Sequence, residues 1–140
     1  MEENKKIRVV MVRPGEIAEI TEIGTGLANL QAAVDGMIEP YYGLNDPDCC
    51  IVCNDEGKLL GMEPNRVVRD ESGNIQEIIC GPFFICDCSG PDFDSLSEEK
   101  AQYYQKKFRL PERIFRLGNR FAALPYEPKP VSVRNEPEGR

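Results

Sequence analysis

Two short apolar runs constrain this chain more than anything else in it. Cys49-Cys50-Ile51-Val52-Cys53 and Phe83-Phe84-Ile85-Cys86 consist of β-branched, aromatic and thiol side chains and are closed by turn or charged residues. Runs this short, made of residues that pack well on a pleated surface, read as strands and not helices. Neither has a polar face to offer water, so both are expected as buried strands of a sheet core.

The neighbouring segments supply the rest of the expected layout. Ile7–Val12 and Ile17–Ile23 flank Pro14-Gly15 as a hairpin. Thr25 is placed to cap a short helix in which Leu27, Leu30 and Val34 share one face and which Gly36 ends. Met37–Tyr42 reads as a strand that Pro40 confines to a sheet edge. Asn45-Asp46-Pro47-Asp48 makes a turn, Leu59–Arg69 reads as irregular, and Glu77–Cys88 reads as a second central strand with a bend at Gly81-Pro82. Ser95 with Glu98, or Ser97 directly, caps a helix over about Ser97–Phe108 that buries Ala101, Tyr104 and Phe108. Pro111 opens a further short helix that ends near Gly118. From Leu124 onward Pro125, Pro128, Pro130 and Pro137 mark a tail. The fold class that follows is α+β: a mainly antiparallel sheet with helices packed on one face, then a short basic helix and a flexible Pro-rich tail. One domain is expected over residues 1–123 and the tail over 124–140, since 140 residues suit one domain.

There is no histidine, which excludes Ser/His and Cys/His catalysis and every zinc site that needs imidazole. The chain shows no apolar stretch of signal-peptide or membrane-spanning length, so the cytoplasm is the expected compartment and its thiols are expected reduced. A four-thiolate zinc site could be drawn from Cys50-x-x-Cys53 and Cys86-x-Cys88. In strands, however, Cys50 and Cys53 point to opposite faces and cannot share one ion. The cysteines are therefore expected as small core residues, with no metal and no cofactor.

Charge is uneven along the chain. Residues 1–40 carry 7 acids and 4 bases, 41–100 carry 13 and 4, and 101–140 carry 4 and 9, within a net charge of −7. The acidic middle holds Asp46, Asp48, Asp55, Glu56, Asp87, Asp92 and Asp94. It can be read as a surface that imitates nucleic-acid phosphates, or as ordinary turn chemistry. In the basic part, Arg109, Arg113, Arg116 and Arg120 recur at spacings of 4, 3 and 4, one stripe if helical, beside an apolar stripe of Ile114, Leu117 and Phe121. That stripe either grips an anionic partner or is a solvated face. Asn65-Arg66 is either an exposed binding pair or a loop whose arginine bonds backbone carbonyls. Gly24-Thr25-Gly26 before the first helix lacks the rest of a dinucleotide fingerprint.

Val12-Arg13-Pro14-Gly15-Glu16, Leu27–Gly36 leading into Met37-Ile38-Glu39, Val52–Leu59, Pro64-Asn65-Arg66, Gly81–Ile85 and Asp92–Ser97 follow one another in an order that resembles domain of unknown function 3846, over about Ile7 to Phe108. That family's members come from phages, plasmids and conjugative elements, so the resemblance implies a mobile-element origin. It brings no catalytic residues to carry over. The expected function is a non-enzymatic anti-defence inhibitor of the anti-CRISPR type, which contacts a host defence protein such as a CRISPR nuclease. Its expected contact residues are Arg109, Arg113, Arg116, Arg120, Asn65 and Arg66. The alternatives are a small-ligand or nucleotide sponge, and direct nucleic-acid binding through the basic helix, which the overall acidity disfavours.

Overall fold

The computed structural model describes residues 5–129. Strands β1 (Lys6–Val12), β2 (Glu19–Gly24), β3 (Ile38–Tyr41), β4 (Cys49–Asn54) and β7 (Phe83–Asp87) form one antiparallel sheet in the order β2-β1-β7-β4-β3. The two apolar runs are β4 and β7, paired inside this sheet, with Ile51 opposite Ile85 and Val52 opposite Phe84. Every residue of β4 is buried. Pro40 lies in the edge strand β3, as its missing N–H requires.

Both faces of the sheet are covered, but by different elements. Helix α1 (Leu27–Val34) sets Leu30 and Val34 against Val9, Met11, Cys50, Val52, Phe84 and Cys86. On the other face, helix α2 (Glu98–Lys107) and the residue that caps it, Phe108, pack Ala101, Tyr104 and Phe108 against Val10, Ile51, Phe83 and Ile85. The expectation that helices share one face is thus corrected: β4 and β7 are apolar on both sides, and each side needs its own cover. Thr25 also departs from its expected role. The N-cap of α1 is Gly26, without a side-chain bond, while the Thr25 hydroxyl donates to the Lys5 carbonyl. Ser97 caps α2 as its sequence implies, accepting from the Lys100 N–H at 3.1 Å.

Two further corrections concern the middle of the chain. Pro64–Arg69, read as irregular, is strand β5, and it pairs with β6 (Ile75–Cys80) in a separate two-stranded sheet. Glu77–Cys88 is accordingly not one strand. It breaks at Gly81, whose φ of 83° suits glycine and where a Cβ would lie 2.6 Å from the Met62 sulfur. The β5–β6 hairpin folds over the α2 side of the main sheet and contributes Val68 and Ile79 to that core.

The expected basic helix after Pro111 is instead a hairpin of β8 (Glu112–Leu117) and β9 (Arg120–Pro125). Ile114, Phe115 and Phe121 favour extended backbone. Leu117 pairs with Arg120 across a two-residue turn, Gly118-Asn119, in which only Gly118 has positive φ (64°), the pattern of a type II′ reversal. The tail boundary shifts for the same reason, because Leu124 and Pro125 belong to β9. Tyr126 is tied back by its N–H to the Pro111 carbonyl at 3.0 Å. Residues 130–140 of the expected tail lie outside the described residues.

Candidate interaction surfaces

Strand geometry redistributes the four arginines of the expected stripe. Residues three apart in a strand face opposite ways, so Arg116 points away from Arg113. Cross-strand pairing places Arg120 beside Leu117, on the face of Arg113. The outer face of the hairpin therefore carries Arg113, Phe115 and Leu117 on β8, opposite Leu124, Ala122 and Arg120 on β9. Phe115, Leu117 and Leu124 are 39%, 59% and 56% exposed. The inner face turns Glu112, Ile114 and Ala123 toward the body, where a Glu112 carboxylate oxygen accepts from the Val67 N–H at 2.9 Å.

Each arginine meets a different environment. Arg109 pairs with Glu127 at 3.3 Å, and Arg116 donates to the Gly118 carbonyl and lies over the Phe121 ring. Arg113 stacks on the Tyr126 ring, 4.7 Å from its centre. Neither Arg113 nor Arg120 has a carboxylate partner among the described residues.

Asn65 and Arg66 are not available to a partner: both are 1% exposed. Arg66 donates from Nε to the Phe108 carbonyl (3.0 Å), from Nη1 to Asn65 Oδ1 (2.8 Å) and from Nη2 to the Glu16 carbonyl (2.7 Å). The Asn65 amide in turn donates to the carbonyls of Val12 and Gly81. The pair thus joins the ends of α2 and β1, the loop after β1 and the break at Gly81. Burial lowers the Arg66 pKa to about 10, which leaves it charged at the C-terminal end of α2, where a cation suits the exposed carbonyls.

The acidic residues, scattered in sequence, are partly gathered by the fold. Cys49 pairs with Asp87, the Cys88 N–H bonds the Asp48 carbonyl, and Asp87 bridges Asp94. Asp46, Asp48, Asp87, Asp92 and Asp94 thereby collect where β4 begins and β7 ends, and Asp48, Asp92 and Asp94 are exposed. Asp55 and Glu56 follow the far end of β4 and stand apart. Two cations offset the cluster: Lys5 pairs with Asp94 at 3.4 Å and Lys100 with Asp46 at 2.6 Å. Asp46 also accepts from the Tyr104 hydroxyl at 2.7 Å. Burial works to raise its pKa, but the bonds from Lys100, Tyr104 and the Asp48 N–H outweigh burial and hold it at about 2. This contact connects α2 to the turn before β4, beside a cleft of about 750 Å³ that Arg69, Lys107 and Tyr103 help to line. Sequence reading missed it, because nothing in the chain signals a bond between residues 54 positions apart.

Of the four thiols weighed as a zinc set, three meet. Cys50 lies opposite Cys86, and its thiol acts electrostatically on those of Cys86 and Cys88, while Cys53 faces the other core and donates to the Glu39 carbonyl. Among the described residues, no three His, Cys, Asp or Glu side chains are placed to hold a metal ion. Burial lifts Cys49 and Cys88 to about 12 and Cys53 to about 11, and the Cys86 contact together with burial drives Cys50 higher still. These thiols are not nucleophiles at neutral pH. The cavity at the start of α1, about 340 Å³, is lined by Lys5, Gly26, Asp92 and Phe93 and by none of the hairpin arginines. Among the described residues no helix is long and apolar enough to cross a membrane.

The family model described as Domain of unknown function (DUF3846) matches residues 7–109. The chain belongs to this family. The matched residues contain the main sheet, both helices and the β5–β6 hairpin, whereas β8 and β9 lie beyond them. No curated protein and no solved structure matches the chain.

Proposed function

We propose that the chain is a non-enzymatic binding protein of phage or mobile-element origin, an anti-defence inhibitor of the anti-CRISPR type that occupies a host defence protein such as a CRISPR nuclease in the cytoplasm. The observation that carries this reading is the gathering of five aspartates at one end of the sheet. Its exposed members Asp48, Asp92 and Asp94 present carboxylates on fixed backbone, an arrangement suited to a groove built for phosphates. The ionisable groups that the fold perturbs support the same reading. Asp46 moves down, and Cys49, Cys50, Cys53, Cys80, Cys88 and Tyr104 move up, so each leaves the range in which acid–base catalysis operates near neutrality.

The test mixes the protein with RNA-guided nucleases at physiological salt and follows complex formation, guide binding and DNA cleavage. Expected are a stoichiometric complex and loss of cleavage, both weakened at least tenfold when Asp48, Asp92 and Asp94 are all changed to Lys. If no nuclease forms a complex and neither guide binding nor cleavage changes, the reading is wrong.

A further inference from the structure

The C-terminal hairpin carries chemistry that the aspartate cluster does not use. Its outer face is a grid of three cross-strand pairs: Arg113 with Leu124, Phe115 with Ala122, and Leu117 with Arg120. The two arginine Cα positions sit at diagonal corners, about 14 Å apart by strand spacing, with Phe115 in the middle row. Among the described residues no carboxylate lies on this face, since the hairpin's own acid, Glu112, is turned inward and held by the Val67 N–H. Phe115, Leu117 and Leu124 remain exposed, whereas on the opposite face Ala123 is buried and Ile114 half-buried, with Phe121 near the turn left open. An apolar patch with arginines at its corners has the make-up of a protein-binding hot spot.

We infer that this face docks a partner protein through an acidic surface with an apolar centre, at a site separate from the aspartate cluster. Charge complementarity sets the acidic requirement, because Arg113 and Arg120 have no ion-pair partner among the described residues. Arg113 lies over the Tyr126 ring and its N–H groups donate to no acceptor among the described residues, which leaves them for a carboxylate. The apolar requirement follows from the grid, in which four of six positions are apolar. A nucleic-acid strand would set phosphate and sugar against Leu117 and Leu124 and would approach a protein of net charge −7.

The experiment uses the full chain and three fluorescent probes: a peptide of alternating Glu and Leu/Phe, a poly-glutamate of equal charge, and a single-stranded oligonucleotide. Anisotropy at physiological salt is expected to show the amphipathic peptide bound at least tenfold more tightly than the other two. R113E combined with R120E should remove that binding, and F115S should weaken it about tenfold. R116E, on the opposite face, should leave it unchanged. Matching unfolding midpoints establish that the variants fold. Peptide binding that survives R113E/R120E overturns the proposal. So does tighter binding of the oligonucleotide that the same pair abolishes, or self-association abolished by that pair, which would seat a second copy on the face. None of these outcomes touches the aspartate cluster, so nuclease inhibition by the R113E/R120E protein would uphold the proposed function while this inference fell.

Discussion

The main sheet and the C-terminal hairpin are both antiparallel β-structure, yet they solve opposite problems. β4 and β7 are buried on both faces and are apolar at every position except their last, Asn54 and Asp87, so their length serves the core. β8 and β9 are covered on part of one face, at Ile114 and Ala123, and leave aromatic, aliphatic and guanidinium groups in water on the other. The contrast teaches where change is tolerated. A substitution in the sheet is felt as stability, whereas one on the outer hairpin face is felt, if anywhere, in binding.

The largest expected effect tests that division directly. Phe83 is fully buried and meets the Phe108 ring edge-on at 5.8 Å, so Phe83→Ala should cost about 3–5 kcal/mol in urea unfolding. Leu124→Ala on the hairpin should stay within about 0.5 kcal/mol. Comparable costs at the two sites would mean that the outer hairpin face is structural.

Arg66 comes next, and it is the residue for which sequence reading kept two answers open. Its removal leaves the carbonyls of Phe108 and Glu16 without their donor in a buried place, so Arg66→Ala should cost about 2–4 kcal/mol. Lys should not restore the stability, since one ammonium cannot reach acceptors arranged for a planar fork. Equilibrium unfolding of the three proteins decides it, and a stable Arg66→Ala protein would reopen the binding role.

What could be read in the sequence was whatever depends on neighbours in the chain. The first hairpin, the edge strand at Pro40, the Ser97 cap and the buried Ala101-Tyr104-Phe108 stripe follow from local pattern, and the structure has them. Alternation also separated Cys50 from Cys53 correctly. The misreadings arose where two periods fitted one segment. Arginines at spacings of 4, 3 and 4 imitate a helix, but the Gly118-Asn119 reversal and the β-favouring Ile114, Phe115 and Phe121 outweigh that spacing. The candidate sites were less legible than the fold, because convergence is a tertiary fact. Asp48, Asp87 and Asp94 meet only through the β4–β7 register, and no local signal pairs Lys100 with Asp46. Phe115 and Leu124 had no place on a helical stripe and became visible only once the strands were paired.

A third prediction concerns the acidic end, where Asp46 is largely covered and accepts from three donors. Asp46 is held at about 2 against an ordinary 3.8, so its contribution is present above about pH 4 and is lost as pH falls toward 2. About 1–2 kcal/mol should disappear over that interval. Asp46→Asn should flatten this part of the pH–stability profile, measured by urea midpoints from pH 5 to pH 2. An unchanged slope in the Asn protein would assign the acid limb to other carboxylates and would weaken the view that Asp46 fastens α2 to the turn before β4.

Another small effect is expected at Gly118, and it sharpens the comparison most. A Cβ meets nothing there, so Gly118→Ala costs only the positive φ of 64°, about 1 kcal/mol. If the hairpin opens as a unit separate from the main sheet, amides of β8 and β9 should exchange about fivefold faster, while those of β4 and β7 keep their protection. The structure leaves room for the opposite result, since the Glu112–Val67 bond ties β8 to β5, whose Val68 packs in the core on the α2 face of the main sheet. Faster exchange in β4 as well would show that this bond transmits the strain. The outer face would then be part of the cooperative fold, and its apolar side chains would have to be explained by stability before docking.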